Sequence, residues 1–121
     1  MMYTAYYAES SDYSSEMSRS NEWSALDNVI SGLKTAREQG LGTSQARQAL
    51  HDTMTVWSFL LDDLSNQDNN FPEQLRADLI SIGIFVIKQV GRIYQAQSED
   101  VDSDVSGLID INTAIRDGLV Q

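Results

Sequence analysis

The sequence predicts an all-α fold, a small bundle of four main helices behind a mobile N-terminal arm, on three observations. Apolar side chains recur at steps of three and four in four separate segments, the spacing that lines one face of an α-helix. Stretches rich in Gly, Asn or Asp part these segments, and the single proline stands at the start of one of them. No segment alternates apolar and polar residues as a strand does, and no internal repeat is visible.

Residues 3–21 are rich in Ser, Tyr and acidic side chains without a sustained period. Such a composition buries too little apolar surface to order itself, so residues 1–21 are read as the arm and 22–121 as one helical domain. Tyr3, Tyr6 and Tyr7 set the arm apart from an ordinary tail, because tyrosine offers contact area at little entropic cost. Either a partner uses these rings or they fold back onto the domain.

The first helix is expected from Glu22 to Gln39, with Ser20 or Asn21 as N-cap and Gly40 as the stop. Trp23, Leu26, Val29, Ile30, Leu33 and Ala36 form its apolar stripe. The short linker Gly40–Thr43 predicts that the second helix, Ser44 to Leu64, packs antiparallel against it. That helix turns Leu50, Trp57, Leu61 and Leu64 inward, while Phe59 falls on the opposite face among Asp52, Thr55, Asp62 and Asp63. A polar, Asn-rich loop follows, and Pro72 suits the first turn of a third helix running to about Tyr94.

The third helix is the most apolar. Leu75, Leu79, Ile82, Val86, Val90 and Ile93 make one stripe, and Ile80, Gly83, Ile84, Ile87, Gly91 and Tyr94 make a second beside it. A helix apolar over more than half its circumference is expected at the centre of the bundle. Gly83 and Gly91 each cost roughly 1 kcal/mol against Ala in a helix, which close approach of a neighbour would offset. Phe85 sits apart, near Ser81, Gln89 and Arg92. After the acidic spacer from Glu99 to Asp104, a last helix is expected from Val105 to Gly118. Leu108, Ile109 and Ile115 line its stripe, and Asn112 in the middle of that stripe needs a hydrogen-bond partner.

Composition limits function. A length of 121 residues fits one core, and a net charge of -10 with only eight Lys and Arg disfavours direct grip on nucleic acid or an anionic membrane. Cysteine is absent, which removes disulfides and thiolate chemistry and fits a reducing compartment. Met1 to Glu9 has neither the basic nor the apolar part of a secretory signal. The apolar run from Ile82 to Ile87 falls well short of the roughly 20 residues of a membrane span. A cytoplasmic, soluble protein is expected.

Catalytic chemistry finds no constellation. His51 is the only histidine and has no nucleophile with an orienting carboxylate near it in sequence. Asp62 and Asp63 diverge by about 100° on a helix and cannot clamp one substrate. Gly40 and Gly42 lack the Lys and Ser or Thr of a phosphate loop. The stretch from Asp102 to Thr113 places oxygen ligands and a glycine as a calcium-binding EF-hand loop does, but Thr113 replaces the bidentate Glu that closes the site. Its acidic residues are read instead as favouring a helix N-terminus. No enzyme, no cofactor and no metal are expected.

Three blocks carry a family resemblance. They are Ala49-Leu50 with Val56-Trp57-Ser58-Phe59 and Asp63-Leu64; the run from Phe71 to Val86, FPEQLRADLISIGIFV; and Leu108-Ile109-Asp110-Ile111-Asn112 with Ile115 and Gly118-Leu119. In this order and spacing they resemble FlaF, the flagellin-specific regulator of alphaproteobacterial flagella, and Tyr3-Thr4-Ala5-Tyr6 is similar to its start. The chain departs from that pattern at Thr53, Met54, Thr55 and Thr113, where basic residues or Asn are common. The resemblance implies a cytoplasmic helper of flagellin synthesis and secretion that acts on flagellin and opposes the regulator FlbT. The alternative is a regulatory scaffold that binds FlbT or another control protein and reaches flagellin only indirectly.

Partner contact is therefore expected at Tyr3, Tyr6, Tyr7, Phe59, Ser81, Phe85, Gln89, Arg92 and Arg116. The structural core is expected from Trp23, Leu26, Leu33, Leu50, Trp57, Leu61, Leu75, Leu79, Ile82, Val86, Leu108, Ile109, Asn112 and Ile115. Phe59 and Phe85 either mark a binding surface or lie under the arm or the last helix.

Overall fold

The computed structural model describes the backbone of residues 12–119 and the side-chain surroundings of residues 21–119. Four helices follow one another: α1 (Asp12–Gln39), α2 (Ser44–Leu64), α3 (Glu73–Tyr94) and α4 (Val101–Gly118). The described part is helix and connecting turn, as the periodicity predicts.

Helix α1 begins at Asp12, so Ser20 and Asn21 lie inside it rather than capping it. Propagating a helix one residue further is far easier than nucleating one. The segment from Glu22 onward packs firmly and carries the preceding turns of helix with it. Helix α1 ends where expected, at Gly40, whose φ of 96° is the left-handed conformation that only glycine adopts cheaply. Thr43 then caps α2: its Oγ1 accepts from the Ala46 N–H at 3.1 Å. Helix α4 starts at Val101, four residues early. Asp100 caps it by accepting from the Ser103 N–H at 3.1 Å, and Asp102 and Asp104 stand in the first turn, where the helix dipole favours negative charge. The stretch read against the EF-hand pattern is thus continuous helix and forms no ion-binding loop.

Packing gives α1 and α2 two extensive neighbours each. Helix α1 lies antiparallel to α2 and to α4, α2 packs in turn against α3, and α3 only touches α4. The α1 stripe of Leu26, Val29, Ile30, Leu33 and Ala36 is buried throughout. The α1–α4 alignment is fixed at two levels, by Arg37 Nη1 donating to Ser106 Oγ at 3.1 Å and by Arg116 paired with Asp27 at 2.8 Å.

The expectation that α3 is the central helix is therefore corrected. Its first stripe is buried from Val86 to Ile93, but Ile84 and Tyr94 of the second stripe are exposed. Leu75, expected in the core, lies in the first turn of α3 and is 44 % exposed. The two helix glycines differ. A Cβ on Gly83 would stand 2.7 Å from Leu61 Cδ2 and 3.1 Å from Trp57 Cε3, so glycine lets α3 approach α2 closely. A Cβ on Gly91 would meet nothing within 4 Å, and the expected close neighbour is not found among the described residues.

Of the other expected core residues, Leu26, Leu33, Leu50, Trp57, Val86, Leu108, Ile109 and Asn112 are buried. Trp23, Leu61, Leu79, Ile82 and Ile115 are half-buried. The partner that Asn112 needs is Trp57, whose indole N–H donates to Asn112 Oδ1 at 2.8 Å in the interior. The Asn112 amide in turn donates to the Leu108 carbonyl at 2.8 Å. Among the described residues no buried side-chain polar atom is left without a partner.

Candidate partner-binding groove

The site grows from the ends of the helices. The start of the packed part of α1, the last turns of α2, the first turns of α3 and the end of α4 converge at one end of the bundle. Two adjoining depressions open there and share Glu22, Leu60 and Asp63. The first is lined by residues of all four helices, Leu26, Trp57, Leu64, Leu79 and Ile115 among them, together with Phe71 from the loop and Leu119. The second adds Ala25, Val56 and Phe59. The result is an apolar groove with two carboxylates set in it.

Phe71 reaches the groove because the Asn-rich loop folds on its own side chains. Asn66 Oδ1 accepts from the Asp68 N–H at 2.9 Å, and Asn69 Oδ1 accepts from the Phe71 N–H at 3.0 Å, fixing the ring's entry just ahead of Pro72. Asn69 also donates to the Asp63 carboxylate at 3.4 Å. Burial nonetheless raises the pKa of Asp63 above the ordinary carboxylate value; the Asn69 hydrogen bond opposes this and the adjacent Asp62 adds to it. Glu22 is only 7 % exposed.

The residues expected to meet a partner do not form one surface. Phe59, 44 % exposed, lies at the rim of the groove. Phe85 is 48 % exposed, but it stands on α3 beyond the groove lining, and Ser81 and Arg92 are exposed on the same helix. Gln89 is buried and its Oε1 accepts from Arg92, so its surroundings are those of a packed residue. Arg116 is engaged internally: it pairs with Asp27 at 2.8 Å and Asp117 at 2.9 Å and stacks 5.6 Å from the Trp23 ring. The hydrogen bonds to Asp117 and Asp27 raise its pKa further, so its charge is permanent. Tyr3, Tyr6 and Tyr7 lie outside the described residues.

Sequence reasoning misses Glu22, Asp63 and Phe71 as members of a site. In the sequence Glu22 reads only as the first residue of a helix and Asp63 as a solvated one. The available signal for Phe71 is an aromatic residue inside an otherwise polar loop.

His51 is exposed on α2. Among the described residues no three His, Cys, Asp or Glu side chains are grouped to hold a metal ion. No described helix is long and apolar enough to cross a membrane.

The family model for the flagellar protein FlaF matches residues 3–119, nearly the whole chain. The chain belongs to the FlaF family. Its role is accordingly associated with the flagellum. No curated protein and no solved structure gives a significant match. Within this FlaF chain the structure also gives the three resemblance blocks a physical meaning. Trp57 and Asn112, from the first and third, are the two ends of one buried hydrogen bond, and Phe71 and Leu79 of the second line the groove.

Proposed function

We propose that this FlaF chain is a non-enzymatic cytoplasmic helper that binds flagellin directly and promotes its synthesis and secretion during flagellum assembly. The observation that carries the reading is the apolar groove where all four helices meet, with Phe59 at its rim. Flagellin's terminal segments are amphipathic and aggregation-prone before assembly. Laying the apolar face of such a helix into the groove covers it until export, the helix-in-groove mode of recognition. A basic side chain beside that apolar face would meet Asp63 and relieve its buried charge. With a net charge of -10, the chain acts on the protein rather than by holding its messenger RNA.

Capture of purified flagellin by the purified chain, with FlbT absent, tests this. Binding supports direct action, and its absence overturns the reading in favour of a scaffold for FlbT or another control protein. Phe59→Ser is expected to weaken capture by about tenfold or more. Because the ring is half in solvent, the same change costs less than about 1 kcal/mol of stability.

A further inference from the structure

The two depressions of the groove adjoin at Glu22, Leu60 and Asp63, the residues that line both. Val56, Phe59, Leu60 and Asp63 follow one another along one edge of α2 over about two turns, roughly 10 Å. Glu22 and Ala25 line the same groove from α1. To one side of the shared residues lie Trp57, Leu79, Phe71 and Ile115, and to the other Ala25, Val56 and Phe59. The order along the groove is therefore apolar, acidic, apolar.

No Lys, Arg or His among the described residues lines either depression. Arg116, next to the lining residue Ile115, is held by Asp27 and Asp117. Asp63 is half-buried, and Asn69 donates to its carboxylate at 3.4 Å, long for such a bond. The titratable groups around it are Asp62, beside it on α2, and Glu22 from α1; α3 and α4 contribute apolar side chains to the lining. Burial, and secondarily repulsion from Asp62, both disfavour its charged form. A carboxylate with acidic neighbours in an apolar groove is a place that a cation from outside completes.

Resting on the reading that the groove receives flagellin, we propose that it takes a helix carrying a Lys or Arg between two large apolar residues on one face, and that Asp63 selects this helix by pairing with the cation. The two apolar residues stand about one turn to either side of the basic one and enter the two depressions. The aliphatic stem of the basic residue lies along Leu60 while its charged head reaches the carboxylate. An apolar residue at the middle position would bury Asp63 unpaired, and an acidic one would add a further negative charge, so both are rejected. The net charge of -10 favours the approach of a basic segment. Pairing stabilises the charged form of Asp63, so the complex holds its proton less tightly than the free chain does. Affinity accordingly rises with pH through the raised value of the free chain and levels off above it.

Calorimetric titration of the full chain tests this with two helical peptides, alike except for Lys or Gln midway between two leucines two turns apart, and with purified flagellin. The chain is expected to bind the Lys peptide about tenfold more tightly at neutral pH. That preference is expected to shrink in acid and to be absent in Asp63→Asn, which should also bind flagellin more weakly by a similar factor. The peptide comparison needs no variant, so it decides the matter even where Asp63→Asn fails to fold. Equal affinity for the two peptides overturns the proposal, as does a Lys preference that Asp63→Asn retains. Failure of both peptides to bind, the result for a groove already taken by a second copy or by residues 1–11, overturns it too. Flagellin bound equally by the chain and by Asp63→Asn removes Asp63 from recognition and leaves the flagellin reading intact. Selection of the Lys peptide by a chain that does not capture flagellin does the reverse.

Discussion

Asn112 makes two hydrogen bonds, and they do different work. The bond from its amide to the Leu108 carbonyl is local to α4, whereas the bond it accepts from the Trp57 indole ties α4 to α2 across the interior. Replacing Asn112 with Ala leaves a buried indole N–H without an acceptor. The expected cost is about 1–3 kcal/mol, read as a lower denaturant midpoint, and Trp57→Ala is expected to cost more, about 3–5 kcal/mol, because it also opens a cavity. The need for a partner is legible in the sequence, because a lone amide on an apolar stripe cannot stay unpaired. Which residue supplies it is not, since positions 57 and 112 share no local pattern.

Asp63 gives the residue scale a pH signature. Burial raises its pKa in the folded state, so the folded chain binds this proton more tightly than the unfolded one. The resulting stabilisation is fully present below the ordinary carboxylate pKa and is lost as the pH rises through the raised folded value. Asp63→Asn removes the charged form altogether. Thermal unfolding across pH is expected to show the variant melting above the parent at neutral pH, with the difference disappearing in acid.

At the scale of the element, the ends of helices are most legible where a single residue decides them. Gly40 stops α1 through its positive φ, and Pro72 marks the entry to α3. The start of α1 is hidden because propagation at Asp12 depends on the packed turns from Glu22 onward rather than on local composition. The place of α3 is hidden for a related reason. An apolar stripe states how much of a helix avoids water, and says nothing about whether a neighbour within the chain covers it. The end of α3 carries a strain that sequence does not announce: Ala96 has φ 57°, in the turn where the Gln97 N–H reaches the Arg92 carbonyl at 2.8 Å. That is the place glycine takes in a Schellman cap. Ala96→Gly is expected to stabilise the fold by roughly 1 kcal/mol. Gly83→Ala should do the opposite, costing about 1–3 kcal/mol by crowding Leu61 and Trp57. Chemical denaturation of both variants checks the pair.

For the whole molecule, the groove is a product of assembly. Glu22 and Phe71 belong to no stripe, and Leu26, Trp57 and Ile115 belong to three different ones. They line one depression because α1 is antiparallel to both α2 and α4, and α3 to α2, which brings four helix ends together. Two aromatic residues signal the groove in the sequence, Phe59 on an acidic face and Phe71 inside a polar loop. The family match over residues 3–119 ties this architecture to the flagellum, and the groove is where the proposed contact with flagellin is made. Hydrogen exchange of the full chain with and without purified flagellin tests the mechanism most directly. The account predicts slowed exchange in the last turns of α2, the loop through Phe71 and the first turns of α3, with the middle of α1 unchanged. Binding that leaves those segments as they were and protects another face would contradict it.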